Sequence, residues 1–105
     1  MKVLIGSDRA GFPLKNALVE YLKEKGYAVE DIGTRSLEQV KSHNEVGFDA
    51  AKRIREDPSA RGILICGTGI GMSIAANKVR GIRAAHVTDT YSAKMAKQHN
   101  DAQII

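Results

Sequence analysis

Short apolar runs alternate with longer segments of helical periodicity along the whole chain. This alternation is typical of strands and helices that build a parallel sheet through right-handed crossovers. It predicts an α/β fold whose parallel sheet carries helices on both faces. Five strands are predicted, at residues 3–5, 27–32, 62–65, 82–87 and 102–105.

Each connection between the predicted strands carries helix signals. Pro13 fits the first turn of the first helix, and Gly26 is placed to end it. Apolar residues at helical spacing predict the buried stripe of that helix; they are Leu14, Ala17, Leu18, Tyr21 and Leu22.

The second helix is predicted from a cap at Asn44 to Ile54, with its apolar residues turned inward; these are Val46, Ala50, Ala51 and Ile54. A third helix is expected over residues 70–79. A fourth is capped by Thr88 or Asp89 and runs to about Gln98. These segments account for most of the chain between the strands.

The third predicted strand is apolar without interruption, which indicates cover on both faces. The sequence stops on another apolar strand, at residues 102–105. A sheet that ends there leaves one face short of a covering helix. We therefore expect either a truncated sequence or a partner that supplies the cover.

Composition narrows the class of protein. The 105 residues suffice for one domain, which we place at residues 1–105. The net charge of +4 is scattered, so it suits an anionic small molecule at least as well as nucleic acid. Cys66 is the only cysteine, which excludes an intrachain disulfide and fits the reducing cytoplasm. No apolar run is long enough to span a bilayer, so we expect a cytoplasmic protein without membrane or nucleic-acid partners.

The segment from Cys66 to Gly71 carries the strongest functional signal. It places a cysteine and a glycine-rich turn between an apolar strand and a helix start. Backbone N–H groups and the helix dipole favour negative charge at such a position, including a thiolate. A single cysteine after an apolar strand is more often an inert core residue. Three glycines in five residues, however, weaken a fold unless the backbone must bend sharply or approach a ligand.

Other interpretations of this turn fail on spacing. The sequence contains no P-loop string, and Met72 stands where a dinucleotide fingerprint requires its third glycine. A cysteine-phosphatase loop requires an arginine at that same position. The histidines lack ligand spacing and one cysteine cannot build a zinc cage, so we expect no metal and no cofactor.

Polar residues follow four of the predicted strands, where ligands of parallel sheets bind. Asp8 and Arg9 follow the first strand, with a helix cap and a solvated charge as their structural alternatives. His99 and Asn100 precede a predicted strand, which places them at the opposite edge of the sheet from the other polar residues. They would therefore join this site only across a subunit boundary. His43 and His86 are interpreted as structural or exposed residues.

The chain resembles the type B ribose-5-phosphate isomerases and the related galactose-6-phosphate isomerase subunits. The most specific match is the string ICGTGIGMSIAANK at residues 65–78. The resemblance covers nearly the whole sequence, through residues 5–8, 10–12, 14–15, 21–22, 25–27, 31–34, 62–79, 81–85, 89–93 and 99–102.

This resemblance implies a Rossmann-like α/β/α fold and a metal-independent aldose–ketose isomerase that works through a cis-enediolate. It makes Cys66 the base that moves a proton between C1 and C2 of a sugar phosphate. It assigns the developing oxyanion to Thr68 and to the backbone of Gly67, Gly69 and Gly71. Asp8 and His99 would assist ring opening and hydroxyl binding, and Asn100 would contact the sugar. Members of the family are dimers or larger assemblies with shared sites, so we expect a homodimer or homotetramer.

The chain departs from the family pattern at three places. Arg9 replaces a histidine; it can bind phosphate but cannot exchange protons at neutral pH. Residues 41–45 replace an Asp-Tyr-Pro element, and His43 is a possible substitute for its tyrosine. The family's C-terminal helical segment, with its phosphate-binding arginines, is not among the 105 residues.

These observations favour a sugar-phosphate isomerase, with ribose 5-phosphate as the first choice of substrate. A second hypothesis is an impaired or partner-dependent subunit of a galactose- or allose-type hexose-6-phosphate isomerase. A third is an anion-binding module without chemistry.

Overall fold

The computed structural model describes all residues from 1 to 105. Three strands and four helices follow one another in the order β-α-β-α-β-α-α. The strands are β1 (Lys2–Ser7), β2 (Ala28–Gly33) and β3 (Arg61–Ile65). The helices are α1 (Phe12–Glu24), α2 (His43–Glu56), α3 (Ile70–Asn77) and α4 (Thr90–Asn100).

The strands form one parallel sheet in the order β2-β1-β3. Ile5 lies opposite Asp31 on one side and opposite Ile63 on the other. Parallel strands joined by crossover helices bring all their carboxyl ends to the same edge of the sheet. This confirms the predicted α/β class and places the turn after β3 next to the loop after β1.

The predicted five-stranded sheet is wrong, because only three strands form. The segments expected as fourth and fifth strands make single bridges, from Ile104 to Gly62 and to Ala84. Backbone hydrogen bonds still join these segments to β3 and to each other: the N–H of Leu64 donates to the Ile105 carbonyl at 2.8 Å, and the N–H of Ala85 donates to the Ile104 carbonyl at 2.9 Å. Side chains bind further backbone groups beside these bridges. The Asn77 amide binds both the N–H and the carbonyl of Ala84 at 2.8 Å, and Gln103 Oε1 accepts from the N–H of Arg83 at 2.8 Å. The two Ala84 groups that Asn77 binds are therefore not free to pair with a further strand.

The main core lies between the sheet and helices α2 and α3. It contains Leu4, Ile32 and Leu64 from the strands, together with residues of both helices, all almost fully buried. The predicted inward residues of α2 are all buried, with Gly47 beside them. A Cβ at Gly47 would lie 2.8 Å from Cβ of Ala75, so the absence of a side chain lets α2 and α3 approach closely.

The predicted buried stripe of α1 is wrong, because none of its five residues is buried and only Leu18 and Leu22 are even half-buried. Leu14 and Tyr21 are 55% and 54% exposed, whereas Lys15 and Val19 are the buried residues of the helix. Leu14 and Leu18 line one open cavity, and Tyr21 and Leu22 line another. The apolar spacing therefore exists, but it faces cavities rather than the sheet.

Strand β3 is also less covered than its sequence predicts. Ile63 and Ile65 are only half-buried, whereas Gly62 and Leu64 on the other face are buried. Ile63 borders an open cavity of about 550 Å³, which Tyr21 and Tyr27 also line. The expectation of cover on both faces is wrong, since α2 and α3 close one face and this cavity opens on the other.

The helix ends follow local chemistry. Ser42, not Asn44, caps α2, because its hydroxyl accepts from the N–H of Glu45 at 3.2 Å in a capping-box sequence. Gly26 follows α1 with φ +89°, as predicted for a helix-ending glycine. Asp89 caps α4 and accepts from the N–H of Ser92 at 2.6 Å. None of these helices has the length and apolar character needed to cross a membrane.

Candidate active site

The turn between β3 and α3 folds back onto the thiol of Cys66. Gly69 adopts a left-handed conformation with φ +79° and caps α3. Its N–H donates to Cys66 Sγ at 3.1 Å, and the N–H of Ile70 donates to Thr68 Oγ1 at 3.2 Å. This sulfur therefore lies at the N-terminal end of α3, where the helix dipole is positive.

A cavity of about 290 Å³ opens beside this turn. Cys66, Gly67, Thr68 and Gly69 form part of its wall, and apolar residues of α1 and β3 form much of the rest. Cys66 and His86 are the only titratable side chains that line it. The thiol therefore faces a largely apolar space with few competing charges.

The loop after β1 packs directly against the end of β3. The N–H of Asp8 donates to the carbonyl of Ile65 at 3.2 Å, and Asp8 Oδ1 accepts from the N–H of Gly11 at 3.0 Å. A Cβ at Gly11 would lie 2.6 Å from the Ile65 oxygen, so only glycine permits this approach. The structure thus brings the Asp8 loop beside the Cys66 turn, with Asp8 also bracing the start of α1. Arg9 is exposed on the same loop.

Two histidines lie against the glycine turn. His86 Nε2 is 2.7 Å from the carbonyl oxygen of Thr68, and its ring occupies the space beside Gly69. The His43 ring occupies the space beside Gly71, where a Cβ would be 2.9 Å from Nε2. Sequence patterns pointed to structural or exposed roles for both. The glycines of the turn indicated that another group approaches the backbone there, but the sequence did not identify that group as His86 or His43.

His99 and Asn100 do not join this site within one chain. Both lie in the last turn of α4, and neither lines the cavity beside Cys66. The Asn100 carbonyl instead accepts from Arg83 at 3.1 Å. Beside them, a hydrogen bond from Lys97 lowers the pKa of Asp101. Within the single chain, His99 and Asn100 are therefore not part of the Cys66 site.

A buried lysine holds the loop that leads to His43. Lys15 Nζ is 2.5 Å from Asp31 Oδ2 and donates to the Thr34 carbonyl at 2.9 Å. Thr34 is buried with φ 52°, a strained conformation for a β-branched residue. Its hydroxyl accepts from the N–H of Lys41 at 3.0 Å. The helical pattern of α1 gave no sign of this role, because lysine normally lies on the solvent face.

The remaining acidic and histidine side chains are dispersed. Nowhere do three His, Cys, Asp or Glu residues converge closely enough to hold a metal ion. At the cap of α4, the hydrogen bond from the backbone of Ser92 lowers the pKa of Asp89. This carboxylate caps the N-terminus of α4.

Comparison with known proteins gives a consistent family. Residues 3–105 match the family model described as Ribose/Galactose Isomerase. The chain is 45% identical over its full length to the D-erythrulose-4-phosphate isomerase of Pectobacterium atrosepticum, of which it covers 69%. It is 49% identical over its full length to the 4-deoxy-4-sulfo-D-erythrose isomerase of a Clostridium species, of which it covers 66%.

A solved structure agrees with these sequence matches. The ribose-5-phosphate isomerase B of Clostridium thermocellum superposes with a TM-score of 0.92 at 48% identity. The superposition covers 99% of this chain and 70% of that one. The chain thus spans about two thirds of the length of its relatives, and it belongs to the ribose/galactose isomerase family of aldose–ketose isomerases.

Proposed function

We propose that this chain interconverts the aldose and ketose forms of a small phosphorylated sugar, with ribose 5-phosphate and ribulose 5-phosphate as the preferred pair. Residues 1–105 act as one sugar-phosphate isomerase domain in the cytoplasm. The observation that carries the proposal is the contact between Cys66 Sγ and the N–H of Gly69, at the edge of a cavity. A base and oxyanion donors are both needed for proton transfer next to a carbonyl, and this turn supplies both.

The reaction follows from that arrangement. The Cys66 thiolate takes the proton from C2 of the open-chain aldose, and the electron pair forms the C1–C2 double bond of a cis-enediolate. The oxygen on C1 gains a proton and the hydroxyl on C2 loses one. Sγ then returns its proton to C1, which yields the ketose. The N–H groups of Gly67 and Gly71, with the Thr68 hydroxyl, stabilise the enediolate oxygens, whereas the N–H of Gly69, also predicted for this role, binds Cys66 Sγ.

The other predicted site residues have supporting roles. Asp8, on the loop beside the turn, assists ring opening, and Arg9 offers a cation for phosphate. His99 and Asn100 lie away from the cavity, so their predicted roles require a second copy of the chain in a homodimer or homotetramer. This separation also supports the second candidate function, a subunit that is active only beside a partner.

The substrate is tested by proton exchange. The protein is incubated in deuterated water with ribose 5-phosphate, erythrulose 4-phosphate, allose 6-phosphate or galactose 6-phosphate, and the C2 proton of each aldose, or the C1 protons of the ketose, are followed by NMR. We expect exchange together with formation of the isomeric sugar, fastest with ribose 5-phosphate. A folded sample that exchanges none of them contradicts a self-sufficient isomerase and favours the partner-dependent subunit.

The assigned base is tested by Cys66→Ala. Because general-base catalysis contributes roughly 10²- to 10⁴-fold, we expect a loss of that order in exchange rate. Ser59→Ala, in an exposed turn between α2 and β3, is the matched control and should exchange like the wild type. Unchanged exchange in Cys66→Ala would remove Cys66 from its proposed role.

A further inference from the structure

The contact between His86 and Thr68 has only one chemically sensible direction. His86 Nε2 lies 2.7 Å from the Thr68 carbonyl oxygen, which can accept a hydrogen bond but cannot donate one. Nε2 therefore carries the hydrogen and donates it. The segment after α3 is thereby tied to the middle of the glycine turn.

The acceptor of this bond belongs to the same peptide unit as the donor to Cys66. The Thr68 carbonyl and the Gly69 N–H lie on opposite sides of one planar trans peptide. Gly69 N–H donates to Cys66 Sγ at 3.1 Å. Fixing the carbonyl on one side therefore fixes the N–H on the other, and hydrogen bonds in such a chain strengthen one another.

The turn is built to accommodate the ring. A Cβ at Gly69 would lie 2.8 Å from His86 Cδ2, and the φ of +79° already requires glycine there. Within the cavity wall the only other titratable side chain is Cys66. The neighbouring elements add Asp8 on the loop beside β3 and His43 beside Gly71.

We propose that His86 is a positioning residue: it holds the Thr68–Gly69 peptide so that the Gly69 N–H faces Cys66 Sγ. Its meaning for catalysis rests on the proposed function, but its effect on the thiol does not. The side chain acts through the peptide and needs no contact with the sugar.

The test measures the reactivity of Cys66 without any sugar. Since Cys66 is the only cysteine, every labelled molecule reports on this thiol. Iodoacetamide labelling rates are measured at neutral and at alkaline pH, and their ratio reports the thiolate fraction at neutral pH. His86→Phe keeps a ring without a donor, and His86→Gln restores an N–H donor.

We expect His86→Phe to lower the neutral-to-alkaline ratio by about three- to tenfold, the range of one hydrogen bond. His86→Gln should recover most of it. His43→Phe alters the other ring beside the turn, leaves the Thr68 carbonyl bonded and should label like the wild type. A His86→Phe ratio equal to that of the wild type, or no recovery in His86→Gln, overturns the proposal.

Folding and function are separated from this result. Circular dichroism of each variant establishes that it folds; if His86→Phe does not, His86→Leu is measured in its place. Proton exchange with ribose 5-phosphate is then recorded for the same samples. If His86→Phe lowers the labelling ratio but the wild type exchanges no sugar proton, the role of His86 is supported and the isomerase is contradicted. If the wild type exchanges sugar protons but His86→Phe labels like the wild type, the isomerase is supported and the role of His86 is contradicted.

Discussion

At the scale of single residues, Gly69 determines the geometry around the thiol. Its backbone adopts φ +79°, its N–H reaches Cys66 Sγ at 3.1 Å, and its missing side chain leaves room for His86. Any other residue meets two penalties here. The first is the left-handed conformation, and the second is collision with the imidazole ring.

Gly69→Ala separates these penalties by comparison with Gly81→Ala. Gly81 also has a positive φ, +89°, but a Cβ there would meet nothing within 4 Å. We expect Gly81→Ala to cost about 1 kcal/mol and Gly69→Ala about 2–3 kcal/mol in the free energy of unfolding, measured in urea. Equal costs would show that the His86 ring moves aside freely.

At the scale of secondary-structure elements, α2 and α3 make the closest helix contact of the fold. Gly47 sits in the buried face of α2, and a Cβ there would lie 2.8 Å from Cβ of Ala75 and 3.2 Å from the Met72 carbonyl oxygen. Because α3 carries the Cys66 turn at its N-terminus, this packing also sets where the thiol lies relative to the sheet.

Gly47→Ala tests this packing against helix propensity. Alanine is favoured over glycine in a helix by about 1 kcal/mol, whereas overpacking costs about 1–3 kcal/mol. We expect net destabilisation, seen as a lower urea midpoint. Lys52→Ala, on the exposed face of the same helix, should change stability by less than about 0.5 kcal/mol. A more stable Gly47→Ala would mean that the two helices can separate at little cost.

At the scale of the whole molecule, Glu30 connects three elements. It pairs with Lys2 on β1 at 2.9 Å and with Arg53 on α2 at 2.8 Å, from its own place on β2. The hydrogen bond from Lys2, aided by both nearby cations, lowers the pKa of Glu30 below its ordinary value of 4.5. A lowered carboxyl pKa stabilises the fold above pH 4.5, and this contribution is lost as the pH falls through the lowered value.

Glu30→Gln removes this pH-dependent contribution. Since the pair is partly exposed to solvent, we expect a loss of only about 0.5 kcal/mol at neutral pH. The difference from the wild type should shrink towards zero in urea titrations well below pH 4.5. Glu38→Gln, an exposed residue outside any ion pair, is the control and should show no such dependence. A Glu30→Gln deficit that persists in acid would point to packing rather than charge.

By itself the sequence determined the local features of this protein. The periodicity of α2, the glycine after α1, the Asp89 cap and the strand–turn–helix around Cys66 all follow from interactions between residues near in sequence, and all are found in the structure. Only the tertiary structure decided the rest. The side chains of Asn77 and Gln103 bound the backbone of Ala84 and Arg83, Lys15 became buried against Thr34, and His86 reached the Thr68 carbonyl. Each of these contacts joins residues that are 7 to 20 positions apart in the sequence. A periodic pattern predicts which face of an element a residue occupies, but it does not identify the distant group that the residue will contact.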